Sequence, residues 1–465
     1  MAHSGITEVH PEFRYSWKRW ERNRDAVGGN DEVKGKGYLR KLQPEDADRQ
    51  KEYEEGAYFI EIPGYTVASL TGMVFQQPAT VELPEAMEDF RTNADGAGQS
   101  LEQLAKAALQ ELFTVGRYGI LVDFPVVGEE MDSATEGELG LRPTMATYPA
   151  EYIDNWYEET INGREVVTMV KLREYWQYPK HEFDHNTELV YRVLRLRKRE
   201  NGAGYVYTQE VIYHTGDPII DEYVPKAQRQ ELDHIPFYFM GAQNNKPNVD
   251  RAPVSGICDV ALSQYRNIAD DEESAFLTGQ PTLHINIGDT DTEFWKSENP
   301  SGVQLGSRRG FVTQNGSAEL IQMDTATRPG ELKAEKVTEM VHIGARIIRE
   351  SARQQTAEAA RIEAGGQASQ LDTAVGNCSE AFRAALGDMA LFAGANPEEI
   401  TFELNDQYWI NTMDPQTASA VIMLGDAGLA ASSDQLHMLK QGRIEYPEGR
   451  SLEDIREERA SQPLT

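Results

Sequence analysis

The chain has 465 residues, 40% apolar and 26% charged, enough for two or three domains and near the globular average rather than the disordered class. Its 45 Lys and Arg stand against 76 Asp and Glu, a formal charge of −31. A surface this acidic repels phosphates, which argues against a protein that grips and reads duplex DNA through Lys and Arg. The two cysteines, Cys258 and Cys378, lie far apart without CxxC spacing, so they read as buried, reduced thiols of a cytosolic protein rather than a disulfide or metal pair. No run approaches 18 apolar residues, and the N-terminal MAHSGITEVHPEFRY lacks a basic start followed by an apolar core. The expectation is a protein neither exported by that route nor spanning a membrane.

In chain order, residues 10 to about 115 read as mainly helical. Trp17, Trp20 and Val27 share one face, and Tyr58, Ile62, Val67, Leu70 and Val74 continue the pattern. GILVDFP at 119–125 reads as a buried strand, followed by an acidic, Gly-rich loop over 128–140. From Tyr152 to Met240 the period changes to that of strands. Asn162-Gly163 and Asn201-Gly202 mark two hairpins, because both residue types accept positive φ, and an antiparallel meander is expected.

A helix follows, with Ile257, Ala261, Tyr265 and Ile268 on one stripe and Cys258, Leu262 and Ala269 beside it, ending near Gly279. Turn-rich, strand-like sequence runs from Pro281 to Met323. A second helix over about 331–350 carries Val337, Met340, Val341, Gly344, Ile347 and Ile348 on one stripe. After the polar stretch RESARQQT, a third helical pattern spans about 357–392, through Leu371, Val375, Cys378, Phe382, Ala385 and Met389. Unbroken, such a helix exceeds about 50 Å, and Gly365-Gly366 is where it would bend. TFELN at 401–405 reads as a strand, and short helices are expected from Pro415 onward.

His181-Glu182-Phe183-Asp184-His185 matches HExxH. In zinc proteases that spacing works because a helix places both imidazoles on one face, with the glutamate over the metal-bound water. Here the segment follows Pro179 and sits between two strand patterns, so a solvated loop is the stronger reading. No GxxxxGK[ST] phosphate loop is present, which argues against a P-loop ATPase. No catalytic residue, cofactor or metal is assigned, and the chain reads as a non-enzyme.

KGYLRKL near 40, LTGMVFQQP at 70–78, GRYGILVDFP at 116–125, QTAEAARI at 355–362 and FELN at 402–405 resemble, in that order, one subgroup of tailed-bacteriophage portal proteins. That subgroup is catalogued as a domain of unknown function. The resemblance spans roughly residues 15–440, with two departures: Gln76-Gln77-Pro78 replaces a basic residue before paired prolines, and the C-terminal crown is short.

The resemblance implies a mixed α/β (α+β) portal fold. Its parts would be a wing over 1–252, a first stem helix over 253–278, a clip over 279–330, a second stem helix over 331–350, a tunnel loop over 351–356, a spine helix and returning wing strand over 357–410, and a short helical crown and tail over 411–465. It also implies a homo-oligomeric ring, typically a 12-mer, at one capsid vertex of the virion, assembled in the host bacterial cytoplasm. Implied partners are the major capsid protein, the terminase large subunit, a tail adaptor, and double-stranded DNA passing through without sequence recognition; no membrane is involved.

In such a ring Arg349, Arg353, Gln354, Gln355 and Arg361 would lie at the tunnel loop, as weak phosphate contacts or as caps and inter-subunit ion pairs. Asp270, Asp271, Glu272 and Glu273 would form acidic rings facing DNA or the solvated face of an amphipathic helix. Arg308 and Arg309 in the clip would meet a motor or adaptor, or simply face solvent in a turn. Two rivals remain: another head-tail adaptor or virion scaffold protein, expected to lack paired stem helices and a long spine, and a zinc metalloprotease, which requires 181–185 to be helical.

Overall fold

The computed structural model describes residues 5–42, 47–123, 142–199, 204–227, 230–279, 282–286, 288, 291–298, 317–321, 328–348, 370–406 and 423. Met1–Leu404 form one compact unit and Asn405–Thr465 a second. The first unit is mixed α+β.

Its N-terminal part is helical, as the spacing indicates: α1 Pro11–Gly28, α2 Asn30–Val33, α3 Ala47–Gly56, α4 Ile62–Val74 and α5 Leu101–Thr114, with the short strand β1 Thr80–Glu82 after α4. Helix α5 starts where Ser100 and Gln103 cap each other reciprocally, which satisfies two amides that the first turn leaves free. Its apolar side, Leu101, Leu104, Ala108, Leu109 and Leu112, is buried. Gly116 then turns the chain at φ 82°; a Cβ there would stand 2.8 Å from the Asp250 carbonyl oxygen and 2.9 Å from the Ala252 nitrogen. That leaves room for hydrogen alone.

The expected buried strand is β2 Arg117–Asp123, paired antiparallel with β3 Thr144–Pro149. A five-stranded antiparallel meander follows, formed in order by β4 Ile153–Ile161, β5 Arg164–His181, β6 Asp184–Lys198, β7 Tyr205–Tyr213 and β8 Pro218–Tyr223. At the β4–β5 turn Asn162 has φ 53° and Gly163 φ 79°, the positive values for which those residue types were read. The second turn signal, Asn201-Gly202, lies outside the described residues. The meander stops short of Met240: after β9 Lys226–Ala227 and β10 Gln230–Glu231, strand β11 Phe237–Gly241 pairs instead with β2, making a separate sheet in the order β11-β2-β3. Alternation alone does not identify a strand's partner, and the run over 152–240 therefore concealed a change of sheet.

The remaining described elements are α6 Ser255–Gly279, β12 Thr282–Asn286, α7 Thr292–Glu298, β13 Ser317–Ile321, α8 Arg328–Ile348, α9 Gln370–Ala393 and β14 Thr401–Glu403. Helix α9 has 24 residues, about 36 Å at 1.5 Å per residue. The rest of the expected spine, with Gly365-Gly366, lies outside the described residues. Leu371, Val375, Cys378, Phe382, Ala385 and Met389 are buried as their spacing indicates, against β11, β2, α5 and β14. Phe382 stacks on Phe402 of β14 at 5.1 Å, and β14 pairs with β1.

Candidate functional site: the α6–α8 hairpin

The two helices that bracket the β insertion return alongside each other. Gly256 faces Ile343 and Ile257 faces Gly344. Further along, Lys336 Nζ donates to Ser263 Oγ at 2.7 Å, and Gln264 Nε2 donates to the Lys333 carbonyl at 3.2 Å. Partner numbers rise on α6 as they fall on α8, so the pair is antiparallel. At the far end β12 and β13 pair antiparallel, from Thr282 opposite Ile321 to Asn286 opposite Ser317. The insertion therefore has a β core with the short helix α7 between its strands.

Helix α6 is rooted in the subunit. Ile257, Cys258, Ala261, Leu262, Tyr265, Ile268 and Ala269 are all buried, the stripe expected from the 3.6-residue period, and they pack against α1, α3 and α4. Tyr265 meets Phe59 edge to face at 5.9 Å, and Asn23 Nδ2 of α1 donates to Ser255 Oγ at 2.9 Å. Burial pushes the Cys258 thiol up to about 12, which keeps it protonated at neutral pH, and it is a free cysteine. The stripe expected on α8 is interrupted. Met340 is buried, but Val341 is 62% exposed, because apolar spacing marks a face without saying how much of it the rest of the chain covers.

The acidic group at the end of α6 is placed in detail. Asp270 accepts from Tyr53 Oη at 2.8 Å and lies 3.6 Å from Arg40. Asp271 pairs with Lys333 of α8 at 3.2 Å, and Glu273 with Arg49 of α3 at 2.8 Å. Asp271 holds the Lys333 ammonium pKa above its ordinary value. Glu272 is exposed. Three of the four carboxylates thus fasten α6 to its own subunit, a use the sequence did not signal because every partner is remote in the chain.

The KGYLRKL segment connects the same region to α1. Lys36 Nζ sits 2.6 Å from Asp25 and Tyr38 Oη donates to the same carboxylate at 2.7 Å, while Arg266 of α6 donates to the Tyr38 carbonyl at 3.4 Å. Burial and the hydrogen bond to Asp25 raise the Tyr38 phenol's pKa, so it remains a donor. Arg308, Arg309, Arg349, Arg353, Gln354, Gln355 and Arg361 lie outside the described residues, as do QTAEAARI and, Met423 aside, the helices expected after Pro415.

The HExxH match is the tip of the β5–β6 hairpin. His181 is paired in register with Asp184, His185 stands opposite Pro179, and Phe183 is 88% exposed. The two imidazoles sit on facing strands, so the helical arrangement that a zinc protease needs is not the one formed. Among the described residues no cluster of three or more His, Cys, Asp or Glu side chains fits a metal ion, and no helix is long and apolar enough to cross a membrane.

No curated protein matches the chain. Among solved structures it is similar to a chain from the neck of an empty GTA particle computed with C6 symmetry, at 13% identity over 89% of this chain and 99% of that one, with a TM-score of 0.42. A chain from the virion of a native gene transfer agent (GTA) particle is similar at 12% identity over 90% and 98%, with a TM-score of 0.43. One from the neck of a native GTA particle computed with C12 symmetry gives 13% identity, 89% and 98% coverage, and 0.41. Residues 253–393, from the start of α6 to the end of α9, match the family described as Domain of unknown function (DUF4055). The matched segment contains the hairpin, its β insertion and α9, and it is similar to a catalogued domain of unknown function, in keeping with the subgroup its motifs resemble.

Proposed function

We propose that this chain is the portal subunit of a tailed bacteriophage, a non-enzymatic protein that closes into a ring, typically of twelve copies, at one capsid vertex. The observation that carries this reading is the α6–α8 hairpin: two antiparallel helices bracket a two-stranded insertion, with a long buried helix behind them. In a ring, one such hairpin per subunit supplies two helices to a shared bore. The adaptor or scaffold rival was expected to lack this pair.

The work of such a ring is positional. Its bore passes double-stranded DNA during packaging and ejection, the insertion over 279–330 docks the terminase large subunit and later a tail adaptor, and the outer surface meets the major capsid protein. Twelve copies at −31 each total about −370, so phosphate adheres weakly and DNA slides. Arg349, Arg353, Gln354, Gln355 and Arg361 would narrow the tunnel, and Arg308 and Arg309 would meet the docked partner.

Negative-stain microscopy of the purified full-length protein tests the reading. Annular particles with a central hole are expected; a uniformly monomeric field at all concentrations sinks it.

A further inference from the structure

Two surfaces on either side of α6 carry opposite charge. On α1, Lys18 and Arg22 lie one turn apart with Arg19 beside them, and Arg251, just before α6, joins the group. Lys18 is exposed and the Arg251 side chain is 63% exposed. Among the described residues the carboxylate that pairs with this group is Asp259 of α6, 2.7 Å from Arg22 and 3.9 Å from Arg251. Arg19 donates to neutral acceptors, Ser16 Oγ at 3.2 Å and the Asp250 carbonyl at 3.4 Å. Burial, with Arg251 and Arg22 close by, lowers the pKa of its guanidinium. Positive charge is thus concentrated on a chain whose total is −31.

Toward the other end of α6, helix α3 exposes Asp48, Glu52 and Glu55, the last of them 3.7 Å from the exposed Lys51, and α6 itself exposes Glu272. Asp259 and Glu272 are about 20 Å apart along the helix and about 140° apart around it, at 3.6 residues per turn. The basic group and the acidic group therefore stand on different sides of one helix.

A subunit that closes a ring head to tail needs two different faces that fit each other. We propose that these are the two faces: the Lys18, Arg22 and Arg251 surface of one copy receives the Glu52 and Glu272 surface of the next. This rests on the ring reading and adds to it the charge pairing that sets the contact. Opposite charges attract in the head-to-tail arrangement, whereas head-to-head and tail-to-tail contacts set like charges together, which costs stability and fixes the direction of closure.

The test uses two full-length variants with exposed changes, Lys18→Glu/Arg251→Glu and Glu52→Lys/Glu272→Lys, with assembly followed by mass photometry at low salt. Each alone is expected to need roughly ten- to a hundredfold more protein to assemble than the wild type. Mixed one to one they present complementary faces again, and assembly is expected to return near the wild-type concentration. Wild-type rings are expected to loosen as salt rises. If both variants form rings as readily as the wild type, this pairing is overturned while the ring reading stands. If the first variant assembles normally but loses retention on duplex DNA, the basic face takes phosphate and the pairing is again overturned. Should either variant misfold, the other and the salt response decide, and an assembly indifferent to both rejects the pairing. A wild-type chain that never assembles removes the pairing and the ring together.

Discussion

Helices α6 and α8 run side by side, yet the fold treats them differently. On α6 the apolar stripe from Ile257 to Ala269 is buried throughout, against α1, α3, α4 and α8 of the same chain. On α8 Met340 is 1% exposed while its neighbour Val341 is 62% exposed. Of two comparable amphipathic helices, one is buried in the subunit's core, and the other packs on it through Ile343 and Gly344 and the polar links of Lys333 and Lys336 while leaving Val341 open. Helix α8 therefore has surface left for contacts beyond its own subunit, and α6 has little. An apolar stripe identifies a face that seeks cover, but the source of the cover depends on the rest of the chain.

The contrast is best broken by substitutions along the two helices. Ile268→Ala on α6 removes a fully buried side chain and is expected to lower the unfolding free energy by about 2–5 kcal/mol, read by urea denaturation. A loss near zero would mean α6 is not core.

The next effect concerns how α9 is held. His234 Nε2 lies 3.0 Å from Asp388 of α9, which also accepts from Tyr238 Oη at 2.6 Å. The hydrogen bond to Asp388, against the cost of burial, raises the His234 pKa to about 9. A raised folded value means the unfolded chain gives up this proton more easily. The stabilisation is therefore complete below about pH 6.5, the unfolded value, and is lost as pH rises through about 9. The side chain is 41% exposed, so solvent screening reduces the effect to about 1 kcal/mol. Denaturation from pH 6 to 10 should show this decline in the wild type and not in His234→Gln; equal curves would refute it.

Smaller still, Lys333→Met breaks a pair in which both side chains are 30% exposed and should cost about 0.2–1 kcal/mol. Loss of the same order in Asp271→Asn, with no further loss in the double variant, would show that the two act as one link. Val341→Ser is expected to change the stability of the dispersed subunit by less than about 0.5 kcal/mol. If it unfolds the subunit as Ile268→Ala does, the distinction between the helices is wrong.

Where a pattern is local, the residues were legible. The 3.6-residue spacing of α6 and α9 marked their buried faces, and Asn162-Gly163 marked a turn because few residue types accept positive φ in succession. Where a contact joins distant segments, they were not. Trp17 and Tyr58 carry apolar spacing but are 39% and 44% exposed. Strand β1 is three residues long and has no pattern of its own; it exists because Thr401–Glu403 pairs with it. The acidic residues of the hairpin read equally as lining or solvated face until Tyr53, Arg40, Arg49 and Lys333 were seen beside them.

By itself the sequence determined which regions are mainly helical and which mainly stranded, the apolar stripes of α6 and α9, the β4–β5 turn and the acidic character, because each depends on residues within a few positions or on composition. Tertiary structure decided that β11 leaves the meander for β2, that α8 lies antiparallel on α6 with Val341 uncovered, and that Asp270, Asp271 and Glu273 are fastened within the subunit. Those outcomes require segments tens or hundreds of residues apart to meet. Local spacing carries the periodicity of a face but not the identity of the surface that comes to cover it.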